Sequence, residues 1–275
     1  MKTRVSLVDY LNSAPLGWAF LHGPFRGMFD VIPSSPANCA DQLSRGEVDI
    51  GLIPSIEYQR IPSLQIIPDI SISSLGEVRS ILLIKSKERQ TIHSVALDTS
   101  SRTSVSLVQI LLKLKMGIHP DFIPCPPDLA SMLRRCDSAL LIGDAALRVQ
   151  LEDYNVLDLA AEWVEWQRKP FVCAFWACRA DARVPRDLHS VFLEARDWGL
   201  KRRHEIAAAY AETLALPASF LENYLHHNID YRMGPRHIEG LQKFYQLANQ
   251  GNLIPELKSL SFVADQDSTT REAES

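Results

Sequence analysis

The sequence predicts an α/β protein of two lobes with a ligand cleft between them. At 275 residues, 46% of them apolar, the chain exceeds the usual single domain and holds enough apolar side chain for two cores. Short apolar runs alternate with helical patterns over its first two thirds, as in mainly parallel sheets covered by helices. These runs end repeatedly in a polar, helix-capping turn, at Asn12/Ser13, Ser55, Ser100/Ser101 and Gly143/Asp144. Such turns lie at the carboxyl ends of strands, where ligands of α/β folds bind.

Residues 4–8 form the first predicted strand, followed by a turn in which Asn12 or Ser13 caps a helix and Pro15 suits its first turn. A strand at 29–33, a helix at 37–44 stopped by Gly46, and a strand at 48–53 closed by Pro54 come next, with Ser55 capping a short helix. Strands at 65–68 and 78–84 precede the charged stretch 85–90, which predicts the crossover between lobes. The second unit starts with a strand at 95–97 and a helix ending at Gly117. It continues with a strand at 122–124, a helix capped by Asp128 and a buried strand at 138–142. A long strand at 171–177 returns the chain to the first lobe, and from Arg186 onward the periodicity is helical. The predicted division is lobe one at 1–86 plus 179–262, lobe two at 87–178, and a disordered polar tail at 263–275.

The segment Asp98-Thr99-Ser100-Ser101-Arg102-Thr103-Ser104 sits where a strand turns into a helix. The first helical N–H groups have no intrahelical partners there, and the helix dipole adds positive potential. A single Ser or Asp is enough to cap a helix, so this surplus of hydroxyls beside Arg102 reads as a cradle for a carboxylate or phosphate.

A net charge of −4 gives no electrostatic case for nucleic acid, so a small molecule is the expected partner. No apolar run approaches the roughly 18 residues of a membrane span. Asp9 and Asn12 interrupt the apolar stretch that a secretion signal requires after Lys2 and Arg4. Five cysteines without a CxxC pair predict free thiols in a reducing compartment, the cytoplasm. His226-His227 lack the spacing of a helical zinc pair, and no metal site is expected.

Five segments, Tyr10 to Leu16, Gly46 to Tyr58, Val78-Arg79-Ser80, Leu97 to Ser104 and Leu141 to Leu147, together resemble the menaquinone-biosynthesis chorismate dehydratases in order and spacing. Trp163 and Trp166 before Pro170-Phe171 add to the likeness. The resemblance implies a type II periplasmic-binding-protein-like fold with an interlobe active-site cleft, used by a cytoplasmic, cofactor-free lyase. The implied reaction removes water from chorismate to give 3-[(1-carboxyvinyl)oxy]benzoate in the futalosine route to menaquinone. Asp9 departs from the family, where Ser is expected; a carboxylate there disfavours an anionic ligand unless it points away.

For a substrate with two carboxylates, Ser55 with Ser80 supplies one expected anion seat. Thr99, Ser100, Ser101, Arg102, Thr103 and Ser104 supply the other, and Gly143 lies at the same edge. Arg79, next to Ser80, is expected to face away. Asn12 either orients the substrate or only caps a helix; Asp144 is either the acid/base or a cap. A further alternative makes the enolpyruvyl carboxylate of the substrate the base. Two rival functions are a non-catalytic small-anion solute-binding protein and the related 1,4-dihydroxy-6-naphthoate synthase. The latter is expected to carry a histidine near the Gly143-Asp144 turn, where this chain has none.

Overall fold

Residues 2–264 are described by a computed structural model. The first strand, β1 (Arg4–Val8), buries four of its five residues and leads through a 3-10 turn into α1 (Ala14–His22). β2 (Asp30–Ser34), α2 (Pro36–Ser44), β3 (Ile50–Pro54) and α3 (Glu57–Arg60) follow, with Ser35 capping α2 by accepting the Asn38 N–H. The long β4 (Leu64–Ser74) leaves this lobe, and β5 (Ile81–Ser86) enters the second. There the chain forms β6 (Ser94–Asp98), α4 (Arg102–Ile110), which extends through a π turn to Lys115, β7 (Asp121–Cys125) and α5 (Leu129–Arg135). β8 (Ser138–Ile142), α6 (Gly143–Leu147), β9 (Tyr154–Asp158) and α7 (Leu159–Gln167) complete it. β10 (Phe171–Arg179) returns, followed by α8 (Leu188–Leu200), α9 (Arg203–Leu214), α10 (Ala218–His227), β11 (Asp230–Met233) and α11 (Pro235–Gln250).

One sheet has the order β11-β4-β10-β3-β1-β2 and the other β7-β6-β8-β5-β9. β1 is parallel to β2 and β3, and β6 is parallel to β7 and β8, but every pairing that β4, β5, β9, β10 or β11 makes with another of these strands is antiparallel. The expectation of mainly parallel sheets is therefore corrected to mixed ones. Strands that carry the chain between lobes run against the βαβ units on either side of them.

The crossover also moves. β5, expected in lobe one, pairs with β8 and β9, while β10, expected in lobe two, lies between β3 and β4. The chain passes between sheets at residues 75–80 and again through α7. The charged stretch 85–90 is instead the turn after β5. The real crossing carries buried Val78 and Ser80, so no shift in composition marks it. Val263 donates its N–H to the Ile66 carbonyl, and residues 265–275 of the expected tail lie outside the described residues.

Aromatic side chains brace both parts of the frame. Phe192 packs at 5.0 Å between ring centroids against both Phe20 and Trp176, joining α8 to α1 and β10. Trp163 meets Phe171 and Phe244 at 5.6 and 5.9 Å and donates its indole N–H to the Pro170 carbonyl, so α7, β10 and α11 share one core at the return crossing. Gly199 lets α8 approach α1 closely: a Cβ there would lie 1.9 Å from the Pro15 carbonyl oxygen.

Candidate active site

Where the two sheets face each other, the turns after β1, β6 and β8 and the crossing segments enclose a cavity of about 50 Å³. Its walls are Val8, Tyr10 and Asn12 from the first turn, Val78, Ser80 and Ile81 from the outward crossing, and Cys173 and Ala174 from β10. Ser101 and Ser104 at the start of α4, Ile142 and Gly143 after β8, and Pro36, Pro54 and Ile72 complete them. None of these residues is Asp, Glu, His, Lys or Arg. Polar contact with a ligand there comes from hydroxyls, the Asn12 amide and backbone N–H groups. Cys173 adds no charge, because burial pushes its thiol up to about 12.

The hydroxyl-rich loop divides between two tasks. Ser101 caps α4, its Oγ lies 3.0 Å from Ser104 Oγ, and both face the cavity beside the first amides of the helix. The rest of the loop mostly ties the lobes together. The Ser100 carbonyl accepts the Ala37 N–H, and its hydroxyl donates to Asp98 at 2.6 Å and accepts from the Tyr10 phenol at 3.3 Å. Thr103, fully buried, accepts the Ile56 N–H at 3.2 Å. Thr99 is exposed and lines an outer groove with Pro124 and Asn38.

Arg102, expected among the anion donors, places its guanidinium on Glu57 Oε2 and both oxygens of Asp41, all at 2.9 Å. Two carboxylates of the first lobe satisfy it, so it offers no free charge to the cavity. Ser55 likewise departs from expectation. Its fully buried hydroxyl donates to the Val172 carbonyl at 2.8 Å, and its own carbonyl accepts the Tyr245 phenol at 2.6 Å. Ser55 fixes β3 to β10 and α11 and is not part of the cavity wall.

Ser80 and Asn12 do reach the cavity. Arg79 turns the other way, donating to the Ala146 and Val149 carbonyls at the end of α6. Gly143 has φ +58°, and a Cβ on it would lie 2.9 Å from Tyr10 Cδ2, so glycine admits the Tyr10 ring against the turn. Asp144 lies just outside the wall and accepts the Leu11 N–H at 3.1 Å, holding the β1 turn of one lobe to the β8 turn of the other. Burial raises its carboxyl to about 6 against the pull of that N–H and of Arg148, with Asp9 adding to the rise. Asp9 itself is exposed and outside the cavity wall.

Two tyrosines escape sequence reasoning. Tyr10 opens one of the family-like segments, but nothing in its spacing gives it a role. Tyr224 of α10 is buried and donates to Ser80 Oγ at 2.8 Å. Its spacing with Leu221 and Leu225 is that of an ordinary core face, and a phenol that must find a partner in such a face is the one available signal.

A family model described as menaquinone biosynthesis matches residues 3–250. The chorismate dehydratase of Thermus thermophilus is 32% identical over 258 residues, covering 87% of this chain and 93% of the relative. Among solved structures, a protein of Archaeoglobus fulgidus aligns with TM-score 0.75 at 17% identity, over 92% of this chain and 98% of its own. The periplasmic aliphatic sulphonate binding protein of Escherichia coli aligns with TM-score 0.63 at 15% identity, over 96% and 94%. At such identities these two matches establish the fold, a two-lobed periplasmic-binding-protein-like architecture. The family match runs from the first strand to the last helix and so includes every residue of the cavity wall: the chain belongs to the menaquinone biosynthesis family.

Proposed function

We propose that the protein dehydrates chorismate to 3-[(1-carboxyvinyl)oxy]benzoate in the futalosine route to menaquinone, acting in the cytoplasm. The observation that carries the chemistry is a cavity walled by hydroxyls, amides and apolar side chains with no acidic or basic residue in the wall. The reaction asks little of the protein: the bond to the ring hydroxyl breaks, the neighbouring ring proton leaves, and the electron pair completes an aromatic ring. Water is the second product. The enzyme therefore has to hold two carboxylates, orient the leaving hydroxyl and place one base.

Ser101, Ser104 and the first amides of α4 form one donor set, and Ser80 and Asn12 form another. Hydrogen bonds to charged groups contribute about 1.5–3 kcal/mol each, so several per carboxylate offset desolvation without a cation. The base is the enolpyruvyl carboxylate of the substrate. Asp144 stands outside the wall with one oxygen on Leu11, and the Cys173 thiol stays protonated. Asp144 is accordingly a positioning group that holds two turns together. The name of the Thermus thermophilus relative supports the same substrate, and the five free cysteines fit a reducing compartment.

Purified protein incubated with chorismate alone is expected to give a product lighter by one water. The D144N variant is expected to keep turnover within about tenfold of the parent, whereas loss of a general base costs about 10²–10⁴-fold. Tight binding of chorismate without conversion would instead identify a solute-capturing protein.

A further inference from the structure

We infer that Tyr224 is a positioning residue that fixes the direction of the Ser80 hydroxyl, so that its proton points into the cavity. This deepens the proposed reaction and rests on it for the identity of the ligand.

Tyr224 is 1% exposed, and its phenol donates to Ser80 Oγ at 2.8 Å. Asn12 lines the same cavity as Ser80. The Asn12 backbone is held as well, its carbonyl accepting the Tyr231 phenol at 2.9 Å. A serine hydroxyl has one proton to give and two lone pairs. With one lone pair of Ser80 taken by Tyr224, the proton must go elsewhere. The protein acceptor within reach is the Val78 carbonyl at 3.4 Å, well beyond the usual O–H···O separation of about 2.5–3.0 Å. Ser80 lines the cavity, so a ligand oxygen there receives the proton in a shorter bond. Without the phenol oxygen, the Ser80 hydroxyl is free to turn its proton away from the ligand.

The test is a double-mutant cycle of Y224F and S80A in the full chain, assayed with chorismate. Y224F is expected to lower kcat by about 10- to 100-fold with KM changed less than about threefold, and to cost nothing further in the S80A background. An equal loss in both backgrounds overturns the inference, because it means that Tyr224 acts through packing and not through Ser80. A second measurement does not depend on substrate: the buried Tyr224 O–H proton should give a slowly exchanging resonance, absent in Y224F and shifted in S80A. If the parent protein leaves chorismate intact, the reaction reading fails, and this resonance alone decides. A shift in S80A supports the hydroxyl arrangement, and an unmoved signal overturns it.

Discussion

Gly143 meets two demands at once, a left-handed backbone and a neighbouring ring at van der Waals distance. Alanine there incurs a conformational penalty of about 1–2 kcal/mol and pushes Tyr10 off the turn. G143A is expected to lose about 1–3 kcal/mol in urea denaturation and at least about tenfold in kcat/KM, since Tyr10 is part of the cavity wall. Asp144 makes a pH prediction. Its carboxyl is raised from 3.8 to about 6 in the fold, mainly by burial. The folded protein therefore holds a proton that the unfolded chain releases, and the resulting stabilisation is complete below the unfolded value and lost as pH rises through the folded one. D144N, which keeps an oxygen acceptor for the Leu11 N–H, is expected to gain in Tm relative to the parent as pH rises from about 4 to about 7, with the difference level above that range. A constant difference across the range would show that Asp144 titrates normally.

The element that departs most from its expected role is the start of α4. Its sequence reads as one anion cradle, yet the fold separates it by orientation: Ser101 and Ser104 face the cavity, while Arg102 and Thr103 grip the opposite lobe. R102M tests the division. It leaves buried Glu57 with Arg60 alone, so stability should fall by about 1–3 kcal/mol, below the usual cost of breaking a buried pair because Arg102 is one-third exposed. Sequence legibility follows the same physics. β1, β8 and α11 fall where periodicity puts them, because each carries a clean pattern of burial. β9 and β11 are short edge strands at the outer limits of their sheets; β9 has no clean burial pattern and the alternation of β11 spans only four residues, so periodicity does not predict them. Arg102 and Ser55 are illegible for another reason: partners in distant segments, the Glu57 carboxylate or the Val172 backbone carbonyl, leave no trace in local spacing.

At the scale of the whole molecule, the cavity volume implies motion. About 50 Å³ is far below the roughly 300–1,000 Å³ of ordinary ligand pockets, so the lobes must part to admit a ring with two carboxylates. The contacts that must yield include the Ala37–Ser100, Tyr10–Ser100, Ile56–Thr103 and Leu11–Asp144 hydrogen bonds and the Arg102 ion pairs. Small-angle X-ray scattering is expected to give the free protein a radius of gyration larger than that of the closed arrangement described above; a radius matching the closed arrangement would mean that the lobes stay shut in the absence of ligand.

The position of β10 also bears on how the chain acquires its shape. It separates β3 from β4 in the first sheet, yet it is made only after the whole second sheet, and β11, which finishes that first sheet, comes later still. During synthesis the inserted lobe therefore has all its strands available while the surrounding lobe remains an incomplete scaffold. Pulsed hydrogen exchange during refolding should find amides of β6 and β8 protected before those of β3 and β4.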